Sequence, residues 1–352
     1  MNKILYCQKN FPVLQNRVYE TSEEAKNCPT GDIEIIQNDE NGLIYNKAFD
    51  LDIIVYDKNY NNEQGVSKHF QNHLLEVAQM IEQNLGKEKL VEVGCGKGLF
   101  LEMLLNRDVD IVGFDPTYVG KNPRVIKKFF EKGIISEPAN GLILRHVLEH
   151  ILNPYIFLNQ LKESNGGKGL IYIEVPCFEW ICKNRVWFDI FYEHVNYFRL
   201  DDFNRMFGKI ISCGHFFGGQ YLYIIADLST LRDPASNVSQ SKFDFPIDFI
   251  NSLKTNQNEK INEKVCIWGA GSKGVIFSLL RYRESLPVDF VIDINSSKQG
   301  KYLPVTGLLV ESPESVLCKL PKGSSIYVMN SNYLEEIKHL SNDDYNYITL
   351  DL

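Results

Sequence analysis

The sequence has no long apolar run and no basic tract. No stretch approaches the roughly 20 apolar residues that a membrane-spanning helix needs, and the first residues, MNKILYCQKN, are too polar for a secretion signal. Lysine and arginine total 37 against 45 aspartates and glutamates, which gives a formal charge of −8 without an arginine-rich arm. Sequence-independent nucleic-acid binding therefore has little support. We expect a cytoplasmic protein with a small-molecule substrate, no nucleic-acid partner and no membrane attachment.

Cysteine pairs are also missing. The eight cysteines are scattered along the chain and most lie in apolar surroundings, so reduced thiols are expected instead of disulfides. The 352 residues are 44% hydrophobic and 23% charged, an ordinary globular balance. A chain of this length has room for two domains, or for one large domain with appendages.

What the sequence does contain is a strand that runs into a glycine-rich turn, KLVEVGCGKGLFL. The turn has the pattern acidic-x-G-x-G-x-G, formed by Glu92, Gly94, Gly96 and Gly98. Glycines at this spacing permit a tight turn and let a ligand approach the backbone, because no Cβ stands in the way. The first amides of the following helix are unpaired and point outward. The segment predicts a ligand-binding turn.

A second buried strand, VDIVGFD, ends in Asp115, about 20 residues after the glycines. An acid at this position can hydrogen-bond the ribose hydroxyls of an adenosine; the alternative is an aspartate that caps the turn at Pro116. Further strands are predicted at GLILR and GLIYIEVP, with a helix between them. This alternation predicts a parallel, doubly wound α/β sheet. Its carboxyl edge would gather Gly94, Asp115 and His146.

The segment RHVLEH has the spacing His146-x-x-Glu149-His150, which also occurs in an inverted zinc-protease motif. That motif needs both histidines on one helix face and a third ligand elsewhere. Here His146 directly follows a strand, and Pro154 marks the start of the next helix. A strand-loop assignment is favoured, and no metal is predicted.

An aromatic-rich stretch ends in FYEHVNYF. Packing over a ligand accounts for its aromatic residues, but it accounts less well for Glu193 and His194. A carboxylate beside an imidazole suits proton abstraction. His194 is the candidate base and Glu193 its supporting acid.

The C-terminal part has a second strand-to-glycine turn, VCIWGAGSKG. Its spacing, Gly269-x-Gly271-x-x-Gly274 with Asp293 after the next strand, fits a dinucleotide fingerprint, so an NAD-dependent enzyme is an alternative. The lobe has room for about four strands, too few for two complete mononucleotide halves. The first amides of the helix, together with Lys273, could instead accept a diphosphate.

These motifs resemble the three-domain, SAM-dependent sugar C-methyltransferases that act on nucleotide-linked 4-keto-deoxysugars. The matching pieces, in order, are VEVGCGKG, the acid of GFDP, RHVLEH, YEHVNYF, GAGSKG and a D-x-x-x-x-K-Q-G-x-x-x-P segment from Asp293 to Pro304. The resemblance implies a class I SAM methyltransferase, Rossmann-like domain at 71–230. It also implies a β-rich N-terminal lid lobe at 1–70 and a smaller Rossmann-like, substrate-binding lobe at 240–352.

The resemblance further implies that SAM, which leaves as S-adenosylhomocysteine, binds the first glycine turn, while the C-terminal lobe holds the sugar nucleotide. The implied cofactor residues are Glu92, Gly94, Cys95, Gly96, Gly98, Asp115, Pro116 and His146. The implied substrate residues are Gly271, Lys273, Gly274, Asp293, Lys298 and Gln299.

In that family the catalytic block usually reads Tyr-His-Glu-His before an aromatic residue, and the last histidine is the base. His194 matches this base and Glu193 the supporting acid, while Phe191 replaces the tyrosine and so removes a hydroxyl. Tyr192, one place along, would point differently on an extended chain. A tyrosine of the N-terminal lobe could supply the hydroxyl; Tyr60 is the best match, with Tyr56 behind it.

The family's N-terminal lobe is a zinc module with two CxxC pairs. The corresponding residues here are Cys7, Asn10, Asn38 and Asn41. Asparagine is a poor zinc ligand, so no structural zinc is expected.

The predicted reaction is methyl transfer to the carbon alpha to a ketone, in deoxysugar and polysaccharide biosynthesis. The main alternative is an O- or N-methyltransferase acting on a sugar or related small molecule. A non-catalytic sugar-nucleotide-binding protein is a further alternative, and the phenylalanine at 191 gives it some weight.

Overall fold

The computed structural model describes residues 3–55, 60, 65, 67–237, 242–253 and 264–351. Tyr56 lies outside the described residues. Three separate β-sheets follow one another along the chain, one inside each of the three predicted ranges. Within the described ranges, no helix combines the length and the apolar character needed to cross a membrane.

The first sheet is antiparallel. Its strands, in sheet order, are β1 (Ile4–Pro12), β2 (Thr30–Gln37) and β3 (Ile44–Asn46). A short helix, α1 (Ser22–Lys26), begins at a capping box in which Thr21 and Glu24 bind each other's backbone amides. Asn38 and Asn41, at two of the zinc-ligand positions, accept hydrogen bonds from backbone amides of residues 40–43. These side chains therefore hold the turn between β2 and β3.

The middle sheet has seven strands in the order β6-β5-β4-β7-β8-β10-β9. The first five are parallel, and β10 runs antiparallel to both of its neighbours. The strands are β4 (Leu90–Val93), β5 (Ile111–Phe114), β6 (Val125–Ile126), β7 (Gly141–Arg145), β8 (Leu170–Pro176), β9 (Ile210–Phe216) and β10 (Tyr221–Asp227). The helices are α2 (Lys68–Leu85), α3 (Leu99–Leu105), α4 (Pro154–Ser164), α5 (Phe178–Lys183) and α6 (Leu200–Met206).

This sheet confirms the predicted Rossmann-like α/β fold. Helix α2 buries an apolar face at three- and four-residue spacing and ends at Gly86, whose φ of 78° a side chain would disfavour. Strand β10 lies inside the sheet, between β8 and β9. The edge strand is β9, and its alternately exposed residues give only a weak strand signal.

The third sheet has five parallel strands in the order β13-β12-β11-β14-β15. The strands are β11 (Val265–Trp268), β12 (Phe290–Ile292), β13 (Val310–Glu311), β14 (Ser325–Val328) and β15 (Asn346–Thr349), and the helices are α7 (Ser272–Arg283), α8 (Pro313–Leu317) and α9 (Leu334–Leu340). A Cβ at Gly274 would lie 1.9 Å from the carbonyl oxygen of Gly269, so only glycine lets α7 pack this close to the turn. The two-residue β13 is one strand more than the four predicted.

The aromatic stretch before His194 lies between the three lobes. Trp187 stacks on Phe277 of α7 with ring centroids 5.5 Å apart, and Phe188 meets the same ring edge-on at 5.8 Å. Buried apolar residues of the N-terminal sheet, this stretch and the C-terminal sheet form one continuous core. The loop that carries His194 is thereby fixed by packing on both sides.

Candidate active site

The carboxyl ends of three neighbouring strands meet as predicted. Gly94 follows β4, Asp115 follows β5 and His146 follows β7, and β4 lies between the other two strands. Gly94, Gly96 and Gly98 have φ values of 74°, 55° and 81°, which explains why each is glycine. A Cβ at Gly96 would meet no atom of the described residues within 4 Å, so these residues leave open space in front of this backbone. A ligand can approach the turn there.

Asp115 joins the two loops of this edge. Its Oδ2 accepts a hydrogen bond from the Gly96 amide at 2.8 Å, and its Oδ1 accepts from the amide and hydroxyl of Thr117 at 2.8 and 2.6 Å. The aspartate therefore caps its own turn, and Oδ2 keeps a further lone pair for a ligand hydroxyl. Pro116 beside it is half-buried, while the Cys95 thiol is buried beneath the turn against Gly113.

Glu92 is buried behind the glycine turn, and within the described ranges its Oε2 has no hydrogen-bond partner. Burial raises the pKa of the Glu92 carboxyl to about 7, although the charge of Arg145 acts in the opposite direction. A buried carboxyl oxygen without a partner costs free energy. A cationic ligand group next to the turn would remove that cost.

His146 lies between two buried carboxylates. Its Nε2 is 3.1 Å from Oε1 of Glu174, and its Nδ1 is 3.4 Å from Oε1 of Glu149. Burial disfavours the charged ring, but the two carboxylates outweigh this and raise the pKa of His146 to about 9. The residue has a φ of 51°, an uncommon conformation for a histidine and one often found at functional sites. His146 is therefore a cation that orients the Glu149 carboxylate.

Glu149, His150 and His194 form a cluster in which one ligand atom from each side chain lies within 4.8 Å of the others. The two imidazole rings meet edge-on, 4.9 Å between centroids. Burial and the neighbouring His150 lower the pKa of His194 to about 3, so its ring is neutral at physiological pH. Glu149 is fully buried, and the histidines around it hold its pKa below the usual value despite burial. A neutral imidazole beside a carboxylate is a proton acceptor whose charged form has a counter-ion.

The cluster forms because two loops are tied together. The backbone amide of Asn196 donates to the carbonyl of Glu149 at 3.0 Å, and its side-chain amide donates to the carbonyl of Ile151 at 2.6 Å. On the other side, the Tyr197 amide donates to the Ile44 carbonyl of β3 at 2.9 Å. The N-terminal sheet and the loop after β7 together position His194.

The structure gives Glu193 a different setting from the one predicted. One of its carboxylate oxygens accepts a hydrogen bond from the Gln15 amide at 3.2 Å, which links the loop to the N-terminal lobe. Glu149, which the sequence interpretation did not include, is the carboxylate grouped with His194. His150 is a second residue that the sequence did not assign to the site. Its Nδ1 donates to the Glu193 carbonyl at 2.9 Å, so Nε2 is the nitrogen that carries the free lone pair. Both residues occur in the HxxEH pattern, but they lie on a 3₁₀ turn at Leu148–His150 instead of an α-helix.

Tyr192 is directed toward the N-terminal lobe, and its catalytic role stays a prediction. Its ring is buried and stacks on Phe49 at 5.4 Å, and its hydroxyl accepts from the Asp50 amide at 2.8 Å. Packing against the N-terminal lobe determines this orientation. Phe191 instead places its ring edge-on to His194, 4.9 Å between centroids. Tyr60 pairs with Arg17 in an isolated β-bridge of the N-terminal lobe.

Hydrogen bonds from the segment after β12 hold the second glycine turn in place. The Asp293 carboxylate accepts from the amides of Ala270 and Asn295, both at 2.8 Å, and the Gln299 side chain donates to the Asp293 carbonyl at 2.9 Å. Asp293 and Gln299 therefore hold the turn in place. Lys298 is buried with its Nζ 3.4 Å from the Ala270 carbonyl, and burial lowers its pKa. This ammonium lies beside Gly271, 3.8 Å from where a Cβ would be.

Lys273 points toward the middle domain. Its Nζ is 3.2 Å from the buried carboxylate of Asp189 and 3.0 Å from Oε1 of Gln220. Gln220 in turn exchanges two hydrogen bonds with the side chain of Asn330. The predicted phosphate contact of Lys273 is thus an interdomain ion pair in this structure, and Lys298 is the cation closest to Gly271 at the turn.

Comparisons with known proteins identify the middle domain. Residues 69–210 match the family model described as a methyltransferase domain. The middle domain is a SAM-dependent methyltransferase domain. The C-methyltransferase NovU of Streptomyces niveus is 26% identical over an alignment of 151 residues. The alignment covers 38% of this chain and 36% of that protein. The chain therefore matches only about a third of the length of that relative.

Two solved methyltransferases illustrate more distant likenesses. The 1,6-didemethyltoxoflavin-N1-methyltransferase of Burkholderia thailandensis, solved with S-adenosylhomocysteine, is 12% identical and covers 46% of this chain and 84% of its own, with a TM-score of 0.35. The plantazolicin methyltransferase BpumL is 14% identical, and the match covers 45% of this chain and 84% of BpumL, also with a TM-score of 0.35.

The glycine edge of the methyltransferase domain fits SAM. The open space at Gly96 admits a ligand, Asp115 keeps acceptor capacity for ribose hydroxyls, and the partnerless Glu92 Oε2 can accept from the amino group. Gly96 lets SAM approach the backbone, Asp115 suits its ribose, and Glu92 suits its ammonium group. The residues present are suited to the cofactor.

SAM affinity is expected to depend on pH through Glu92. With its pKa near 7, the carboxyl is largely neutral at pH 6 and largely ionised at pH 7.5, so affinity should rise roughly five- to tenfold over that range. Isothermal titration calorimetry with SAM at a series of pH values measures this. The Glu92→Gln variant should bind more weakly and without the pH dependence; an unchanged profile in that variant would contradict the assignment.

Proposed function

We propose that this protein transfers a methyl group from SAM to the carbon alpha to a ketone of a nucleotide-linked deoxysugar. The cluster of His194, Glu149 and His150 at the cofactor edge carries the proposal, because it joins a neutral base with a carboxylate beside the methyl-donor site. The 26% identity to a C-methyltransferase supports transfer to carbon.

The cofactor would lie along the glycine turn. Glu92 would accept from its amino group, Asp115 would accept from its ribose, and Gly96 would permit close approach. SAM supplies an electrophilic methyl group when bound. His146 and the glycine turn lie at adjacent strand ends, so the methyl group would face the loop after β7.

His194 would take the proton from the alpha carbon of the substrate. The electron pair of that C–H bond becomes the enolate, and the Glu149 carboxylate stabilises the imidazolium that forms. SAM held by Glu92, Asp115 and the glycine turn would supply the methyl group that this carbon takes up, and the electron pair of the S–C bond would stay on sulfur. General-base help contributes about 10²–10⁴-fold, and holding both reactants together contributes more.

Tyr60 is the proposed partner for the enolate oxygen, since Phe191 has no hydroxyl. Tyr60 forms an isolated β-bridge with Arg17 of the N-terminal lobe. Arg17 is two residues along the chain from Gln15, whose backbone amide donates to the Glu193 carboxylate. This segment therefore connects directly to the loop that carries His194.

The second glycine turn would hold the diphosphate of the sugar nucleotide. Helix α7 begins at Gly271 with unpaired amides, and the buried Lys298 lies at the same turn. A buried ammonium with one long contact to a carbonyl is better satisfied by a phosphate oxygen. The Asn16 side chain, which donates to the Ser272 hydroxyl at 2.8 Å, brings the N-terminal lobe to this place.

Deuterium exchange tests the proposal. Nucleotide-linked 4-keto-deoxysugars are incubated with the enzyme in D₂O without SAM, and then with SAM, and are followed by mass spectrometry. Carbon methylation predicts exchange of one alpha hydrogen without SAM and a gain of one methyl group with it. Methyl gain without any enzyme-dependent exchange would point instead to O- or N-methylation.

A further inference from the structure

The cluster of Glu149, His150 and His194 is also arranged as a set of metal ligands. The oxygen or nitrogen atoms that these three side chains can offer lie within 4.8 Å of one another. Glu149 is 1% exposed, and its Oε2 has no hydrogen-bond partner among the residues that the structure describes. A buried carboxylate oxygen without a partner normally has an explanation such as an unseen ion. This oxygen is on the side chain that the two imidazoles approach.

A hydrogen bond holds His150 in the tautomer that a metal ion needs. The Nδ1 of His150 donates its hydrogen to the Glu193 carbonyl, so Nε2 carries the free lone pair. In metal-binding histidines, the ring nitrogen that does not bind the ion usually donates its hydrogen to a backbone carbonyl or carboxylate.

We propose that Glu149, His150 and His194 bind one divalent transition-metal ion such as Zn²⁺, with a fourth position open to water or a substrate oxygen. Ligands about 2.1 Å from a tetrahedral ion lie about 3.4 Å apart, so closure requires the side chains to move inward by about 1 Å. Two imidazoles and one carboxylate favour zinc, cobalt or nickel over magnesium and calcium, which prefer oxygen ligands.

This site differs from the zinc-protease motif of the same sequence. In that motif His146 and His150 would bind together on a helix, whereas here the His146 ring lies between Glu149 and Glu174 as a cation. His146 instead acts behind the site, because its contact at 3.4 Å orients the Glu149 carboxylate. The inference revises the expectation of a metal-free protein.

Metal binding and base catalysis would exclude each other at His194. A nitrogen lone pair that coordinates an ion cannot accept a proton, so Zn²⁺ should stop alpha-hydrogen exchange while SAM still binds. The metal site itself does not depend on the proposed methyl transfer, since it is defined by the protein's own side chains.

Cobalt titration of the whole protein, without SAM or substrate, tests the site. Co²⁺ in a tetrahedral nitrogen-oxygen site gives intense visible absorption, and we expect it to saturate at one equivalent and to disappear when Zn²⁺ displaces the cobalt. The His150→Asn and Glu149→Gln variants should each bind Co²⁺ at least about tenfold more weakly. The His339→Asn variant, which removes an exposed histidine of α9, should bind like the wild type. Circular dichroism shows that each variant is folded, and a folded Glu149→Gln protein suffices if His150→Asn does not fold.

The outcomes separate this inference from the proposed function. No saturable absorption, or absorption that His339→Asn removes and the cluster variants leave intact, overturns the metal site and leaves the methyl-transfer proposal standing. Cobalt binding that depends on His150 and Glu149, together with no alpha-hydrogen exchange in the metal-free enzyme, supports the metal site and counts against C-methylation. Exchange that one equivalent of Zn²⁺ blocks and a chelator restores supports both.

Discussion

The His194→Asn enzyme is expected to bind SAM with unchanged affinity and to transfer methyl groups about 10²–10⁴-fold more slowly than the wild type. Asparagine keeps a polar side chain of similar size but cannot accept a proton. The cofactor residues Glu92, Gly96 and Asp115 lie at the ends of β4 and β5, whereas His194 is held by Asn196 and by the N-terminal sheet. The substitution should therefore affect the reaction and leave cofactor binding intact.

Three measurements check this expectation: SAM affinity by calorimetry, methyl transfer by mass spectrometry, and alpha-hydrogen exchange without SAM. All three should be normal in the His339→Asn control, which removes an exposed histidine far along the chain. Exchange at the wild-type rate in His194→Asn would rule out the base assignment. Loss of SAM binding together with activity would show that His194 supports the cofactor pocket instead.

The pH dependence gives a second check on the same residue. Because the pKa of His194 is about 3 in the free protein, the base stays unprotonated until the pH falls toward that value. A decline in activity near pH 7 should therefore come from Glu92 and should vanish at saturating SAM. A decline near pH 7 that persists at saturating SAM and disappears in His194→Asn would contradict the low pKa.

The cofactor edge was predictable from the sequence because it depends on local signals. Buried strands followed by Gly94, Asp115 and His146 have a strong apolar pattern, and parallel strands bring their carboxyl ends together without further information. Gly274 was predictable for a similar reason, since the approach of α7 to the Gly269 carbonyl is built into one short segment. These features needed no knowledge of how the lobes meet.

The partners of His194 were not predictable in the same way. Glu149 and His194 are far apart in sequence, and their approach depends on hydrogen bonds from Asn196 that no local pattern announces. Tyr192 was assigned to the site from its position in a motif, but packing on Phe49 turned it toward the N-terminal lobe. Lys273 likewise meets Asp189 because two domains pack together. Side-chain direction at domain contacts is a tertiary property.

Glu174 is the residue whose loss should destabilise the methyltransferase domain most. It is fully buried, and its carboxylate lies 2.8 Å from Nη2 of Arg145, 3.1 Å from Nε2 of His146 and 3.5 Å from Nε2 of His73. Tyr172 also donates its hydroxyl to the carboxylate at 2.7 Å. The Glu174→Gln variant keeps the volume but leaves the buried Arg145 uncompensated. We expect the free energy of unfolding to fall by about 3–5 kcal/mol.

Urea unfolding followed by circular dichroism measures this loss. The matched control is Glu137→Gln, which breaks the exposed ion pair with Lys89 and should leave the unfolding midpoint unchanged. A loss below about 1 kcal/mol in Glu174→Gln would mean that water reaches Arg145 and that the network is not a buried one.

The pH dependence of stability has a sign that follows from the two shifted groups. Despite burial, Arg145 and the histidines hold the pKa of Glu174 well below its usual 4.5, so its stabilisation is present above that value and is lost as the pH falls through the folded pKa. The pKa of His146 is raised from 6.5 to about 9, so its stabilisation is full below pH 6.5 and is lost as the pH rises through 9. The network should therefore stabilise the wild type most between pH 4.5 and 6.5.

In Glu174→Gln, His146 loses one of its two carboxylates, and the decline in stability between pH 6.5 and 9 should become shallower. An equally steep decline in that variant would assign the raised pKa of His146 to Glu149 alone.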